Sequence, residues 1–167
     1  MILNHKNAID YILENPNEFK ILGEEKIIKL HHLLTKDLEV TSGLRNSKVA
    51  ITGTEFRPLA DSASIKEALA KAIKLVNAFD FPLAKALLAL ALISYIQPFV
   101  DGNKRTARTL ANAVLIASDY YPLSYRNQDE VEYLKAMVLF YETNNLYHLK
   151  KIVVDKYKFA LGNYFLI

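Results

Sequence analysis

The chain has 167 residues, enough for one domain with a sizeable core, and its 51% hydrophobic and 23% charged content is that of a globular fold, not a disordered one. A net charge of +3 suits phosphate ligands but falls short of the basic stripe of a nucleic-acid binder, so nucleic acid is disfavoured as a partner. The absence of cysteine excludes disulfides and thiolate metal sites and fits a reducing, cytoplasmic setting. The N-terminus lacks the charged-then-apolar pattern of a signal peptide.

No internal repeat, low-complexity tract or linker interrupts the chain, so the expectation is a single domain spanning 1–167. Ala8 to Glu14 reads as a short first helix ending before Asn15-Pro16. A second helix runs from about Glu24 to Thr35, with apolar Ile27, Ile28, Leu30 and Leu34 among charged residues. His31 and His32 lie on it and read as structural or exposed residues. Thr41 to Leu59 is rich in Ser, Thr and Gly and lacks a helical period. Val49, Ile51 and Phe56 around Thr52-Gly53-Thr54 predict a small β-hairpin there.

Pro58 and Asp61-Ser62 precede a third helix from about Ser64 to Phe79, with Ile65, Leu69, Ala72, Ile73 and Val76 as its apolar face. Asp80-Phe81-Pro82 breaks it, and a fourth follows from about Leu83 to Ile96. Residues 86–100 carry no formal charge. The run is shorter than the ~20 apolar residues that span a bilayer, so it reads as a central buried helix and no membrane is expected. Later helices are expected at about Lys104–Tyr120, Gln128–Glu142 and Leu146–Phe159, giving an all-α bundle with short connections. Tyr120, Tyr121, Tyr125, Tyr133, Tyr141 and Tyr147 cluster late and read as seals at the rim of the bundle.

Between the fourth and fifth helices lies Gln97-Pro98-Phe99-Val100-Asp101-Gly102-Asn103-Lys104-Arg105-Thr106-Ala107-Arg108. Pro98 ends the helix before it. Gly102 can take a positive φ that turns successive N–H groups into one concavity. The following helix begins near Lys104, so its unsatisfied N–H groups and positive dipole end face the same place. Arg105, Arg108 and Asn112 fall at i, i+3 and i+7, one stripe of that helix, where two guanidiniums can fork phosphate oxygens. Such a loop suits an anion, and in particular a phosphate chain. Asp101 would repel that ligand unless a divalent cation lay between them, and Mg²⁺ binds in this way through one or two carboxylates plus phosphates.

At these residues the chain resembles the Fic domain, whose motif is His-x-Phe-x-Asp/Glu-Gly-Asn-Gly/Lys-Arg-x-x-Arg between two helices. Gln97 to Arg108 matches every specified position except the first, and the similarity extends from about Ala8 to Tyr157. The resemblance implies a Fic-type helical bundle that transfers AMP from ATP, with magnesium, to a Ser, Thr or Tyr hydroxyl of a protein target. It implies that Asp101 holds the metal and that Gly102, Asn103, Lys104, Arg105 and Arg108 surround the phosphates. Asn112 is a further candidate for the nucleotide pocket. Gly43-Leu44-Arg45 and Val49-Ala50-Ile51-Thr52-Gly53 look like the segment leading into the Fic flap, which pairs with an extended stretch of the target.

Two departures matter. The family's first motif residue is a histidine that accepts the hydroxyl proton, and Gln97, an amide, can orient a hydroxyl but has no basic nitrogen. Losing a general base removes roughly 10²–10⁴ of the rate while leaving ligand positioning in place. Lys104 resembles the Doc branch, which is kinase-like, whereas Arg108 resembles the AMP-transferring members. Phosphotransfer and a nucleotide- or partner-binding pseudoenzyme therefore stay open beside AMP transfer. The family's inhibitory Ser/Thr-x-x-x-Glu-Gly/Asn helix has only an imperfect echo in Asp10-Tyr11-Ile12-Leu13-Glu14-Asn15, which leaves room for an antitoxin-like inhibitor.

Overall fold

A computed structural model describes residues 2–124 and 130–163. These form seven helices with no strand among the described residues: α1 (Ile2–Glu14), α2 (Glu24–Thr35), α3 (Ser62–Asn77), α4 (Pro82–Ile96), α5 (Asn103–Ile116), α6 (Glu130–Thr143) and α7 (Tyr147–Asn163), with a 3₁₀ turn at Pro16–Phe19. They fall into two compact units, Met1–Val49 with Pro58–Tyr120, and Ala50–Arg57 with Tyr121–Ile167.

The first unit is built around α4. Ala86, Ala89, Leu90, Ala91, Ile93, Ser94 and Ile96 are buried there, so this helix is apolar on nearly every side and central rather than amphipathic. It packs on α3 and, most extensively, on α5, whose buried face includes Ala107, Leu110, Ala111 and Val114. Small side chains on both helices allow close axial approach. Full burial of Leu90, Leu110 and Phe99 contributes roughly 2 kcal/mol each. Helix α2 packs on α5 as well as on α1.

Several helix ends differ from the sequence reading: α7 runs four residues past its expected end, to Asn163, and three others differ for a local reason. Helix α1 starts at Ile2, six residues earlier than its periodicity announces, and is tied down by Asn4, whose Nδ2 donates to the Lys36 carbonyl at 2.6 Å. Helix α3 starts at Ser62 behind Asp61, whose carboxylate accepts from the Ser64 N–H at 2.8 Å as an N-cap. Helix α5 stops at Ile116 because Asp119 takes a left-handed φ of 59° and the Tyr120 N–H closes on the Leu115 carbonyl at 2.9 Å. Of the expected helix 128–142, Gln128 lies outside the described residues, as does Tyr125.

In the second unit α6 packs on α7, burying Tyr133, Met137, Phe140 and Tyr141 on one side and Leu149, Ile152 and Val153 on the other. The predicted hairpin is not present. Residues 50–57 contain only a turn at Thr52-Gly53, where Gly53 has φ 87°. Thr54 explains part of this, because its Oγ1 accepts from the Phe56 N–H at 3.1 Å and donates to Glu142 at 2.8 Å. Such a local side-chain bond competes with a ladder, and a two-stranded ribbon alone is marginal. Phe56 stacks on Tyr141 with ring centroids 5.6 Å apart.

No helix among the described residues is long and apolar enough to cross a membrane.

Candidate functional site

Gln97 closes α4 in the left-handed region, φ 50° and ψ 59°, a conformation that costs a non-glycine residue about 1–2 kcal/mol. Its side chain folds back, Nε2 donating to the Ser94 carbonyl at 2.6 Å, and only 8% of the residue is exposed. What holds this helix end is Arg45, buried to 2% exposure. Its Nε donates to the Gln97 carbonyl at 2.6 Å, a terminal nitrogen donates to the Ile96 carbonyl at 3.3 Å, and the other donates to the Ser47 carbonyl. The Arg45 backbone N–H donates to the Pro98 carbonyl at 2.9 Å. A cation here satisfies carbonyls at the negative end of the α4 dipole, while burial pulls the guanidinium pKa below its usual value.

Replacing Arg45 by alanine leaves at least two buried carbonyls without donors and is expected to cost about 3 kcal/mol. Urea unfolding should register this as a lower midpoint at unchanged slope. Arg45→Lys, with the charge but without the fork, should fall between alanine and the wild type.

Beyond Pro98, Phe99 is fully buried and stacks on His31 of α2, with ring centroids 3.7 Å apart and planes 6° apart. Asn103 closes the loop on itself: its Oδ1 accepts from the Phe99 N–H at 2.9 Å and its Nδ2 donates to the Phe99 carbonyl at 2.8 Å. The Asn103 amide is thus engaged in holding the bend. Gly102 has φ 81° and precedes α5 with no side-chain cap. A Cβ at this position would meet the Thr35 methyl at 3.0 Å and the His31 ring at 3.4 Å, so both the backbone and the packing require glycine.

The first N–H groups of α5 have no partner within the helix, and their dipole end is positive. Around them, Lys104 is exposed, and Arg105, Arg108 and Asn112 are partly buried along one stripe. Asp101 has a side chain 71% exposed, 3.4 Å from an Arg105 nitrogen, an ion pair of little energetic weight at the surface. His31 is wholly buried, and its Nε2 lies 2.9 Å from the Asp101 carbonyl. Burial, and to a lesser degree the neighbouring Arg105, pulls the His31 pKa below the usual imidazole value against the opposing effect of the Asp101 carbonyl, and this lowering favours the neutral ring. A carbonyl only accepts, so the proton sits on Nε2.

Gln97, Asp101, Gly102, Asn103, Lys104, Arg105, Arg108 and Asn112 all lie on the loop or on α5 within the first unit, with Asp101 and Arg105 in contact. Val49 belongs to that unit too, whereas Ala50, Ile51, Thr52 and Gly53 belong to the second. Ile51 is buried, and Ala50, Thr52 and Gly53 are exposed. Among the described residues no three His, Cys, Asp or Glu side chains gather to hold a metal. Mg²⁺ does not need such a cluster, since it binds through one carboxylate plus ligand phosphates and water, and the accessible oxygens of Asp101 fit that role.

His31, expected to be structural or exposed, is structural, and Arg45 has a role at the end of α4 that its sequence context does not announce. Ile27, Leu30, His31 and Leu34 are all buried on α2, at i, i+3, i+4 and i+7. His31 thus sits within the apolar stripe, a signal that separates it from His32. Arg45 carries no such local signal, because its partners at the end of α4, Ile96 and Gln97, lie some fifty positions away.

Residues 21–115 match the Fic/DOC family. A probable protein adenylyltransferase of Aquifex aeolicus is 26% identical over 120 residues, covering 71% of this chain and 37% of that protein. The protein adenylyltransferase Fic of Nematostella vectensis is 44% identical over 52 residues, 31% of this chain and 12% of that protein. Among solved structures, Fic-1 from C. elegans superposes with a TM-score of 0.77 at 19% identity, over 96% of this chain and 49% of that one. A variant of IbpAFic2 in complex with adenylylated Cdc42 gives 0.67 at 21%, over 93% and 52%. BepC from Bartonella tribocorum with bound AMPPNP gives 0.65 at 15%, over 92% and 85%. At these identities the structures establish the shared fold. The chain spans well under half the length of the two curated relatives.

Proposed function

The chain belongs to the Fic/DOC family, and on that premise we propose that it binds ATP at the N-terminus of α5 and transfers AMP to a hydroxyl of a protein. One observation carries the reading: α5 starts uncapped on a left-handed glycine, with Arg105 and Arg108 along one stripe of its first two turns. That arrangement supports a phosphate chain in the concavity, its oxygens accepting from backbone N–H groups and from the two guanidiniums. Lys104 adds a third cation at the rim. Asn103 contributes its backbone N–H, since its amide holds Phe99. Asn112, farther along the stripe, lies toward the nucleoside end.

Asp101 would hold magnesium, which when bound neutralises charge on the phosphate oxygens. The segment Val49, Ala50, Ile51, Thr52, Gly53 would present main-chain groups to an extended stretch of the target, setting its Ser, Thr or Tyr hydroxyl in line. The hydroxyl oxygen attacks the α-phosphorus and forms a phosphoester. The bond from that phosphorus to the bridging oxygen breaks, and pyrophosphate leaves. Position 97 offers the hydroxyl proton no base, because Gln97 carries only an amide and that amide donates to Ser94. The proton passes to solvent, and the reaction is slow.

The relatives' names as protein adenylyltransferases support AMP as the transferred group, the AMPPNP bound to BepC supports ATP as its source, and the adenylylated Cdc42 bound to IbpAFic2 supports a protein acceptor. We assign the reaction to the cytoplasm, with an antitoxin-like protein as the candidate inhibitor. The test is label transfer by the Gln97→His protein from ATP labelled at the α- or the γ-phosphate. Label from the α position alone is expected, and label from the γ position would point instead to phosphotransfer.

A further inference from the structure

His31 has no part in the transfer steps above, yet the motif loop rests on it. We propose that His31 is a positioning residue, whose Nε2–H grips the Asp101 carbonyl and thereby fixes the direction of the Gly102 N–H. The inference deepens the nucleotide-site reading and rests on it.

The geometry runs through a single peptide plane. The Asp101 carbonyl and the Gly102 N–H belong to one trans peptide unit and point in opposite directions. With its oxygen held 2.9 Å from His31 on α2, the plane must turn the Gly102 N–H away from α2, to the side where the first N–H groups of α5 gather. A peptide that leads into glycine flips readily, because glycine accepts both of the resulting turn conformations. Some group has to choose between them.

The ring is set up to make that choice. Its plane is fixed by the stack on Phe99, 3.7 Å between centroids. Its Cδ2 and Nε2 stand 3.4 Å from the site of a Gly102 Cβ, and the Thr35 methyl stands 3.0 Å from it. Its Nδ1 has no hydrogen-bond partner among the described residues, so the loop carbonyl is the polar anchor of the side chain. Packing alone would favour leucine, as at Leu30 and Leu34 of the same stripe, because an imidazole with one unpaired nitrogen is costly to bury.

Two variants separate the hydrogen bond from the packing. His31→Phe keeps a stacked ring and loses the donor, while His31→Gln keeps an N–H near the Nε2 position and loses the ring. Affinity for ATP with Mg²⁺ should fall about tenfold in His31→Phe, the weight of one hydrogen bond, with a thermal midpoint near that of the wild type. His31→Gln should recover most of the affinity despite a lower midpoint. In ligand-free protein the Gly102 amide resonance should move in His31→Phe and return toward the wild-type position in His31→Gln.

Affinities that simply follow thermal stability across the two variants would overturn the proposal, as would an unmoved Gly102 resonance. Wild-type protein that binds no ATP would sink the nucleotide reading instead. The amide resonance, read without ligand, would still decide whether His31 sets the peptide.

Discussion

Gln97→His is expected to raise AMP transfer by roughly 10²–10⁴, the usual weight of a general base. The substitution should be structurally mild. Position 97 has a left-handed backbone, φ 50°, and histidine is among the residues enriched there. The Arg45 clamp on the Gln97 carbonyl uses only main chain, so it survives the change. Nucleotide affinity should stay near the wild-type value, because the proposed phosphate seat uses the backbone and arginines of the next helix. The gain therefore belongs in kcat. The measurement is single-turnover transfer of α-labelled AMP to lysate protein, with calorimetry on the same sample. A variant that holds ATP and still transfers nothing would count against an enzyme and in favour of a nucleotide-binding protein.

The second large effect is on binding. Removing Arg105 and Arg108 together should weaken ATP binding by at least about a hundredfold, since charge-assisted hydrogen bonds contribute about 1.5–3 kcal/mol each. Both residues are only partly buried, so the fold should tolerate the loss. Lysine at either position should recover only part of the affinity, because an ammonium cannot fork a phosphate. Binding in the wild type should also weaken as salt is raised. Isothermal titration of the double alanine variant is the check. An unchanged dissociation constant would mean that the nucleotide does not use this stripe.

How much of this was legible in the residues depends on how local the cause is. Helix α4 announces itself, since an apolar run bounded by Pro82 and Pro98, with Lys85 near its start as its one charge, has one economical reading. The bend at Gly102 was legible for the same reason: a glycine between an acid and a helix start signals positive φ, and the structure gives 81°. The helical architecture followed from periodicity together with the motif. The hairpin was misread because β-branched residues around Thr-Gly satisfy a turn signal without guaranteeing a ladder, and the Thr54 hydroxyl takes up a main-chain donor that pairing would have used. The resemblance sets Asn103 beside the phosphates; what the residues alone do not announce is that its amide meets Phe99 four residues earlier, a contact that depends on how the loop folds back. The burial of His31 is legible in the apolar stripe of α2, but its bond to the Asp101 carbonyl and the Arg45 clamp both act from a distant part of the chain, and single-sequence patterns carry no record of such pairings.

Everything proposed for this site requires that α5 offer its first turn to a phosphate chain. A crystal structure with AMPPNP and Mg²⁺ tests it most directly. The triphosphate should lie on the N–H groups of Gly102, Asn103 and Lys104, with Arg105 and Arg108 on its oxygens and the metal against Asp101. Nucleotide density elsewhere, with Arg105 still paired to Asp101, would contradict it.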